Sequence, residues 1–341
     1  MRAAVFSEHG GPEVLRIDEV ERPDPGPGEV RVEVRAASLN HLDLWVRRGL
    51  PIEITMPHIG GSDVAGVVDA VGPGAEHVPL GTRVVVDPSL DYDWYDGHSQ
   101  GDSFPRTHLR LIGEHTQGGF AELCVVPAAN LLEIPEHVPF EKAGAAGLTF
   151  VTAWHGLIAR GGLRAGERVL ITGASGGVST AAVQIARLVG AQVYAVTSGA
   201  ENVRRVEGLG ADVVYDRLAV DYGKQVHADT GKQGVHLVLD SVGEATWATN
   251  VRALGVRGRL VTYGATTGPK GEADIRLMFW KQLSLIGSTM GSPEDFKIVM
   301  GLVFDGKLEP VVHEVMPLDD IRRAHEMLEA GDVFGKLVLT P

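Results

Sequence analysis

Residues 168–197, RVLITGASGGVSTAAVQIARLVGAQVYAVT, constrain this chain more than any other stretch. Residues 168–172 form a short apolar run with the length and composition of a strand buried on both faces. Gly173, Gly176 and Gly177 then mark a tight turn. From Val178 the apolar period changes: Val178, Ala181, Ala182, Ile185, Leu188 and Val189 share one helical face. Gly190 ends that helix as a C′ residue, and 192–196 reads as a second buried strand. Strand, glycine turn, helix and strand make one βαβ unit, whose crossover is right-handed.

The glycines have a chemical reason. A pyrophosphate settles on a helix N-terminus only where free amides point at it and no Cβ blocks its approach. Aligned on the dinucleotide fingerprint, the three glycine positions hold Ala174, Gly176 and Ser179, with Gly177 as an extra glycine. The match is degraded but its setting, after a strand and opening a helix, is correct. An ordinary αβ turn is the competing reading. The backbone of Gly176, Gly177 and Val178 is expected to face the pyrophosphate. The fingerprint also asks for an acid about 20 residues on, to hold the ribose 2′-hydroxyl of NAD. No acid stands in 196–199, and Glu201 comes too late. Thr197 and Ser198 can instead donate to a 2′-phosphate, with charge from Arg204 or Arg205, which read equally well as a solvated helix face. NADPH is therefore the expected cofactor, with NADH possible.

At 341 residues the length suggests two domains and allows a sizeable core. No apolar run approaches membrane-spanning length. The N-terminal MRAAVFSEHGGPEVL lacks the apolar core of a signal peptide, so a cytoplasmic location is expected. A net charge of −13 argues against nucleic acid and anionic membranes, which reward a basic face. The single cysteine, Cys124, excludes an internal disulfide and multi-cysteine metal sites, and reads as a small buried hydrophobe in a strand.

Residues 1–56 read as short strands (2–6, 15–20, 30–37) separated by Gly/Pro turns, followed by a helix near 40–49. Two more strands, 66–71 and 82–86, suggest a small β-barrel or sandwich. Residues 87–115 are polar, with Asp91, Asp93, Asp96, His98, Asp102, His108 and His115. Their spacing fits no diagnostic metal pattern, and a solvated excursion is expected. Strands at 119–126 and 128–134 and a helix at 140–159 lead into the βαβ unit. Beyond it come helices near 202–209 and 245–254, with strands at 212–215, 235–240, 259–263 and 283–287. Six strands with intervening helices fit a doubly wound parallel sheet. Helices at 294–304 and 318–330 and a strand at 336–340 close the chain.

Several passages together resemble the medium-chain dehydrogenase/reductase superfamily, essentially end to end. They are GGPEVL, AASLNHLDLW, PHIGGSDVAGVVDAVGPG (57–74), GEHTQGGFAEL (113–123), LTFVTAWHGL (148–157), GASGGVS, LSLIGSTMG (283–291) and FGKLVL (334–339). The resemblance implies an α/β chain: a GroES-like β-barrel domain (1–127 and 291–341) carrying the substrate site. It implies an inserted Rossmann domain, with a parallel six-stranded sheet and its leading helix, at 128–290.

The resemblance also implies what is missing. Zinc-dependent alcohol dehydrogenases of the superfamily carry a catalytic Cys in C-x-x-D, a His in G-H-E and a further Cys before the cofactor domain. Here Asn40, Ser62 and about Leu148 take those positions, a set without the usual zinc donors. The cysteine-rich lobe maps onto 87–115, which holds no cysteine. No zinc is expected. The remaining pattern, Asn40-His41-Leu42-Asp43, resembles the zinc-independent quinone oxidoreductase-like branch, although GEHTQGG and GATTG also resemble chains described as alcohol dehydrogenases.

In that frame the nicotinamide transfers hydride and the protein orients and stabilises. Without a Lewis acid a simple alcohol is hard to oxidise, whereas a quinone or α,β-unsaturated carbonyl already carries an electrophilic carbon. Asn40 and Ser62 are expected to position the small-molecule substrate or nicotinamide, and Asp43 to orient neighbours. His41 is either a proton donor or a surface residue. For the cofactor, Asp240, Gly264 and Ala265 lie at C-terminal strand ends, where ligands bind in open α/β sheets; Thr152 is a further candidate, and the resemblance adds Ser288 and Thr289, and Lys336 near the phosphates unless it is merely solvated. The rival readings are an alcohol/aldehyde dehydrogenase of the same superfamily and an NADPH-binding protein without turnover. An exposed edge strand at 283–287 predicts a homodimer or homotetramer.

Overall fold

The computed structural model describes residues 1–92 and 109–341. Asp93, Asp96, His98, Asp102 and His108 of the polar excursion lie outside the described residues. The chain divides into two compact units, 1–151 with 292–341, and 152–291.

The first unit opens with β1 (Arg2–Phe6), β2 (Arg16–Glu19) and the long β3 (Glu29–Ser38). Helix α1 (His41–Arg48) leaves the end of β3, and β4 (His58–Ile59), β5 (Asp63–Val71) and β6 (Arg83–Val86) follow. After β7 (Ser89–Leu90) and β8 (Arg110–Leu111) come β9 (Leu123–Pro127), β10 (Leu131–Glu133) and α2 (Phe140–Trp154). One edge of β3 pairs with β5 along its length. Its other edge is shared: β9 takes Glu29–Glu33, and the last strand of the chain takes Ala37 and Ser38. That sharing delivers the C-terminus to the foot of α1.

The second unit contains β11 (Arg168–Ile171), α3 (Gly177–Val189), β12 (Gln192–Thr197), α4 (Ala200–Gly208) and β13 (Val213–Asp216). It continues with α5 (Tyr222–Asp229), β14 (Val235–Asp240), α6 (Glu244–Ala253), β15 (Leu254–Thr262), α7 (Ile275–Lys281) and β16 (Ser284–Gly287). All six strands are parallel, in the order β13-β12-β11-β14-β15-β16. The chain reverses its direction of growth between β11 and β14, which is the switch point of a doubly wound sheet. The central strands are buried on both faces, as their unbroken Val/Leu/Ile runs require. Gly190 caps α3 at φ 85°, a left-handed value that costs glycine little.

The chain then returns to the first unit with α8 (Pro293–Phe304), β17 (Val312–Pro317), α9 (Ile321–Ala330) and β18 (Lys336–Thr340). Strand β17, parallel to β18, is absent from the sequence reading, as are α5 and α7. Helix α5 buries only Tyr222 and Val226, too narrow a stripe to stand out. Helix α7 buries none of its residues and ends on Gln282 in a left-handed conformation rather than on glycine. The unit boundary also falls later than 127/128. Strand β10 pairs with β6, and Ala145 of α2 packs with Ala36 and Val338, so 128–151 belongs with the first unit.

Candidate functional site

In the first unit the end of β3, the start of α1, the start of β5 and the start of β18 bring Ser38, Asn40, Asp43, Asp63 and Lys336 together, all buried. The Asp63 carboxylate is the hub. Its Oδ2 accepts from Ser38 Oγ (2.8 Å), Asn40 Nδ2 (3.0 Å) and Lys336 Nζ (3.2 Å), and its Oδ1 from the Leu148 amide (2.6 Å). Lys336 Nζ also donates to the Leu39 carbonyl (2.6 Å) and to Asn40 Oδ1. All three ammonium protons are therefore used. A solvated Lys336 is excluded, since burial lowers its pKa while the charge of Asp63 opposes the fall.

Asn40 is correspondingly spent. Its Oδ1 is held by Lys336, and its amide faces Asp63 with a long contact (3.5 Å) to the Ser38 carbonyl. The expected substrate donor has no free proton to offer. Ser62 differs: its hydroxyl is fully buried and has no hydrogen-bond partner among the described residues. An unsatisfied buried hydroxyl calls for a ligand or a water.

Asp43 braces the same loop from α1. Its Oδ2 accepts from the Asn40 amide (2.7 Å) and its Oδ1 from the Gly61 amide (3.0 Å). Burial nevertheless pushes its pKa up to about 7, against those two amides and the Lys336 charge. Glu114 is likewise raised to about 7, by burial and then by the Asp43 charge. His41 moves the other way. Desolvation, and then the charges of Lys336 and Arg48, lower its pKa. That weakens its expected role as proton donor. Among the described residues no group of three or more His, Cys, Asp or Glu side chains could hold a metal ion. A spent asparagine, a serine and a buried ammonium are a poor donor set for zinc, and the ammonium repels a cation.

The second unit carries the dinucleotide features. The Gly176 amide bonds to Gly173 O (3.0 Å) and the Ala174 amide to Val196 O (2.9 Å), closing the turn. Helix α3 then starts at Gly177, and the amides of its first turn, those of Gly177 and Val178 included, have no carbonyl within the helix. Ser179, at the third glycine position, instead ties α3 to β11 by donating to Thr172 O (3.0 Å). Thr197 ends β12 buried, and its hydroxyl is unpartnered among the described residues, as is that of Ser288 after β16. Ser198, Gly264, Ala265 and Thr289 sit partly or fully exposed at the same C-terminal strand ends, where ligands bind in open α/β sheets.

Two further expected cofactor residues are buried. The Asp240 carboxylate is fully buried and accepts from Thr172 Oγ1, Thr246 Oγ1 (2.8 Å), Asn250 Nδ2 (2.9 Å) and the Gly243 amide (2.8 Å). It shapes the turn after β14. Thr152 is buried with its hydroxyl toward Met290 Sδ (3.8 Å). An acid missed in the sequence reading also appears. Asp216 ends β13 opposite Thr197, and its Oδ1 accepts from the Gly199 amide (3.0 Å). Only strand pairing could reveal it.

Three further residues of the first unit are held by the fold. His58 Nε2 bonds to Gly113 O (3.0 Å), Glu122 accepts from the Arg2 amide (2.8 Å), and burial pushes the Cys124 thiol up to about 12. A groove of the first unit, lined by Met1, Val20, Met56, Arg110 and Cys124, includes no member of the Asp63 cluster.

One unit with a Rossmann sheet and one β-rich unit with a buried polar cluster define the class: a nicotinamide-dependent oxidoreductase. Residues 26–136 match the alcohol dehydrogenase GroES-like domain family, and residues 177–305 the zinc-binding dehydrogenase family. The chain is 31% identical to the acryloyl-coenzyme A reductase of Metallosphaera sedula, with 100% of each chain covered. It is 30% identical to a quinone oxidoreductase of Pseudomonas aeruginosa over 98% of each. A solved NAD-dependent alcohol dehydrogenase superposes with a TM-score of 0.94 at 41% identity, covering 100% of both chains. A crotonyl-CoA carboxylase/reductase in complex with NADP superposes with 0.90 at 27% identity, covering 100% of this chain and 94% of the other. The chain belongs to the medium-chain dehydrogenase/reductase superfamily.

Proposed function

We propose that this chain is a zinc-independent reductase of quinones or α,β-unsaturated carbonyls, with NADPH as reductant. The observation that carries the reading is the Asn40–Asp63–Lys336 network. It ties Asn40, which takes the sequence position of a zinc-ligand cysteine, to a buried ammonium. A bound nicotinamide supplies the hydride. The chain supplies the rest. The Gly177 and Val178 amides hold the pyrophosphate, Thr197 and Ser198 the adenosine ribose, and Ser288 and Thr289 the carboxamide. In the first unit the Ser62 hydroxyl donates to the substrate oxygen, where negative charge develops as carbon is reduced. Asp43 and Lys336 hold the backbone and side chain of Asn40, which fixes the start of α1 beside it.

Two observations favour second readings. Asp216 beside Gly199 offers a carboxylate near the ribose and favours NADH. The likeness to a solved alcohol dehydrogenase favours alcohol or aldehyde as substrate. Both are tested by one assay: protein exhaustively chelated after metal analysis, then NADPH or NADH with benzoquinone, an enone or an aldehyde. Cofactor loss with quinone or enone, undiminished by chelation, is expected. Turnover of alcohol or aldehyde alone, abolished by chelation, would overturn the reading. Tight NADPH binding with no turnover would make the chain a binding protein.

A further inference from the structure

The loop around Glu114 belongs to GEHTQGG, a passage to which the reading above gives no role. It is pressed against the loop that carries Ser62. Gly113 has φ +75°, and a Cβ there would lie 2.6 Å from the Gly61 backbone, so the two loops touch main chain to main chain. Hydrogen bonds rivet them: Gly118 N to Ile59 O (2.7 Å), Gly119 N to Gly61 O (2.8 Å), and His58 Nε2 to Gly113 O (3.0 Å). Gln117 adds two more, accepting from the Ile59 amide (2.6 Å) and donating to Pro57 O (3.1 Å).

A reduction of this class needs a proton as well as a hydride, and the proton must come from a group that stays protonated near neutrality and can be refilled from water. The charged and titratable groups around this loop sort themselves by that test. Lys336 has all three protons committed inside the protein. Asp63 is a saturated acceptor paired with that ammonium. Asp43 is buried, with each oxygen on a backbone amide. His58 is buried and tied to Gly113, and His41 is depressed. Glu114 is not sealed, and the His115 Nδ1 beside it accepts from the Leu111 amide (3.1 Å), so that nitrogen brings no proton of its own to the carboxyl. The Glu114 side chain keeps 12% of its exposure, His115 Nδ1 stands 3.6 Å away, and Asp43 is the anion that acts on it.

Resting on the reductase reading, we propose that Glu114 holds the proton that completes the reduction, on the loop clamped to Ser62. Hydride brings two electrons and one hydrogen to the electrophilic carbon, and the charge moves onto the substrate oxygen held by Ser62. The Glu114 O–H bond breaks, its proton joins the enolate or hydroquinone anion, and the carboxylate left behind takes a proton from water. Burial, and after it the nearby Asp43 carboxylate, raises the Glu114 pKa to about 7, so the rate falls as pH rises through that range.

The test pairs a pH profile with a readout that needs no turnover. In Glu114→Gln, kcat/KM below neutrality is expected to fall by roughly 10²-fold or more, and the neutral limb of the profile to vanish. Glu114→Asp is expected to restore much of both, with NADPH affinity unchanged in each. Infrared difference titration of the unliganded protein should show a protonated-carboxyl band lost near neutrality in the wild type and missing in Glu114→Gln, beside the Asp43 band, which stays in both. An unchanged pH limb, or an unchanged band, in a folded Glu114→Gln protein overturns the proposal. If the wild type turns over no quinone or enone while the band behaves as stated, the reductase reading fails and the assignment of the proton to Glu114 stands.

Discussion

Lys336 Nζ lies 3.2 Å from Asp63 Oδ2, a buried pair joined across 273 residues of sequence. The pair needs both partners. Desolvation already costs each ion several kcal/mol, and only their mutual attraction and the surrounding hydrogen bonds offset it. Lys336→Met leaves the Asp63 carboxylate buried without its cation and is expected to cost about 3–5 kcal/mol. Chemical denaturation measures it. Adding Asp63→Asn should return a large part of the loss, and an additive double mutant would show that the pair is not coupled.

Asp43 should leave a mark on stability as a function of pH. Its folded pKa, about 7, lies above its ordinary value of 3.8. Below the lower value the carboxyl is neutral whether the chain is folded or not. As pH rises between the two, the unfolded chain ionises while the folded one resists, so the contribution is lost toward pH 7. Exposed carboxylates such as Asp216 and Asp221, whose pKa values are lowered by backbone amides, act in the opposite sense. The readout is therefore the difference between wild type and Asp43→Asn. The wild type should lose ground to the variant from about pH 4 to 7. A constant difference would contradict the burial argument.

Gly176 separates folding from binding. It has an ordinary extended conformation (φ −75°, ψ 159°), and the nearest atom to a Cβ there is Gly173 O at 3.5 Å. The protein itself has room for a side chain. A pyrophosphate on the start of α3 does not. Gly176→Val should keep its unfolding midpoint and lose NADPH affinity by about tenfold or more, a cost of about 1.4 kcal/mol. Tryptophan quenching measures it. Unchanged affinity would place the cofactor elsewhere.

The far edge of the parallel sheet predicts self-association. Strand β16 has no neighbour on one side among the described residues, and α7 before it exposes Ile275, Phe279 and Trp280, the last at 82%. An unpaired strand edge flanked by apolar side chains favours a second copy of the same surface. Light scattering should give at least twice the 36.3 kDa chain mass. Trp280→Asp should shift that mass toward the monomer. A monomeric wild type at micromolar concentration would refute the prediction.

The dinucleotide half was legible from residue order because its information is local. A buried strand, a glycine turn and an amphipathic helix are periodicities within 30 consecutive residues, and the glycine at φ 85° after α3 is the residue that such a conformation prefers. That Asn40 and Ser62 stand where the motifs of zinc-dependent members place Cys and His was equally plain, since residue types need no structure to be read. Tertiary structure decided what those two residues touch. Asn40, Asp43, Asp63, Glu114 and Lys336 are scattered over 297 positions, and it is strand pairing of β3 with β18 and the clamp between the 58–62 and 111–118 loops that assembles them. A carboxyl's proton affinity follows from its burial and its neighbours' charges, both set by chain segments distant in sequence. The order of residues therefore specified which groups were present, and the fold decided which of them keep a proton.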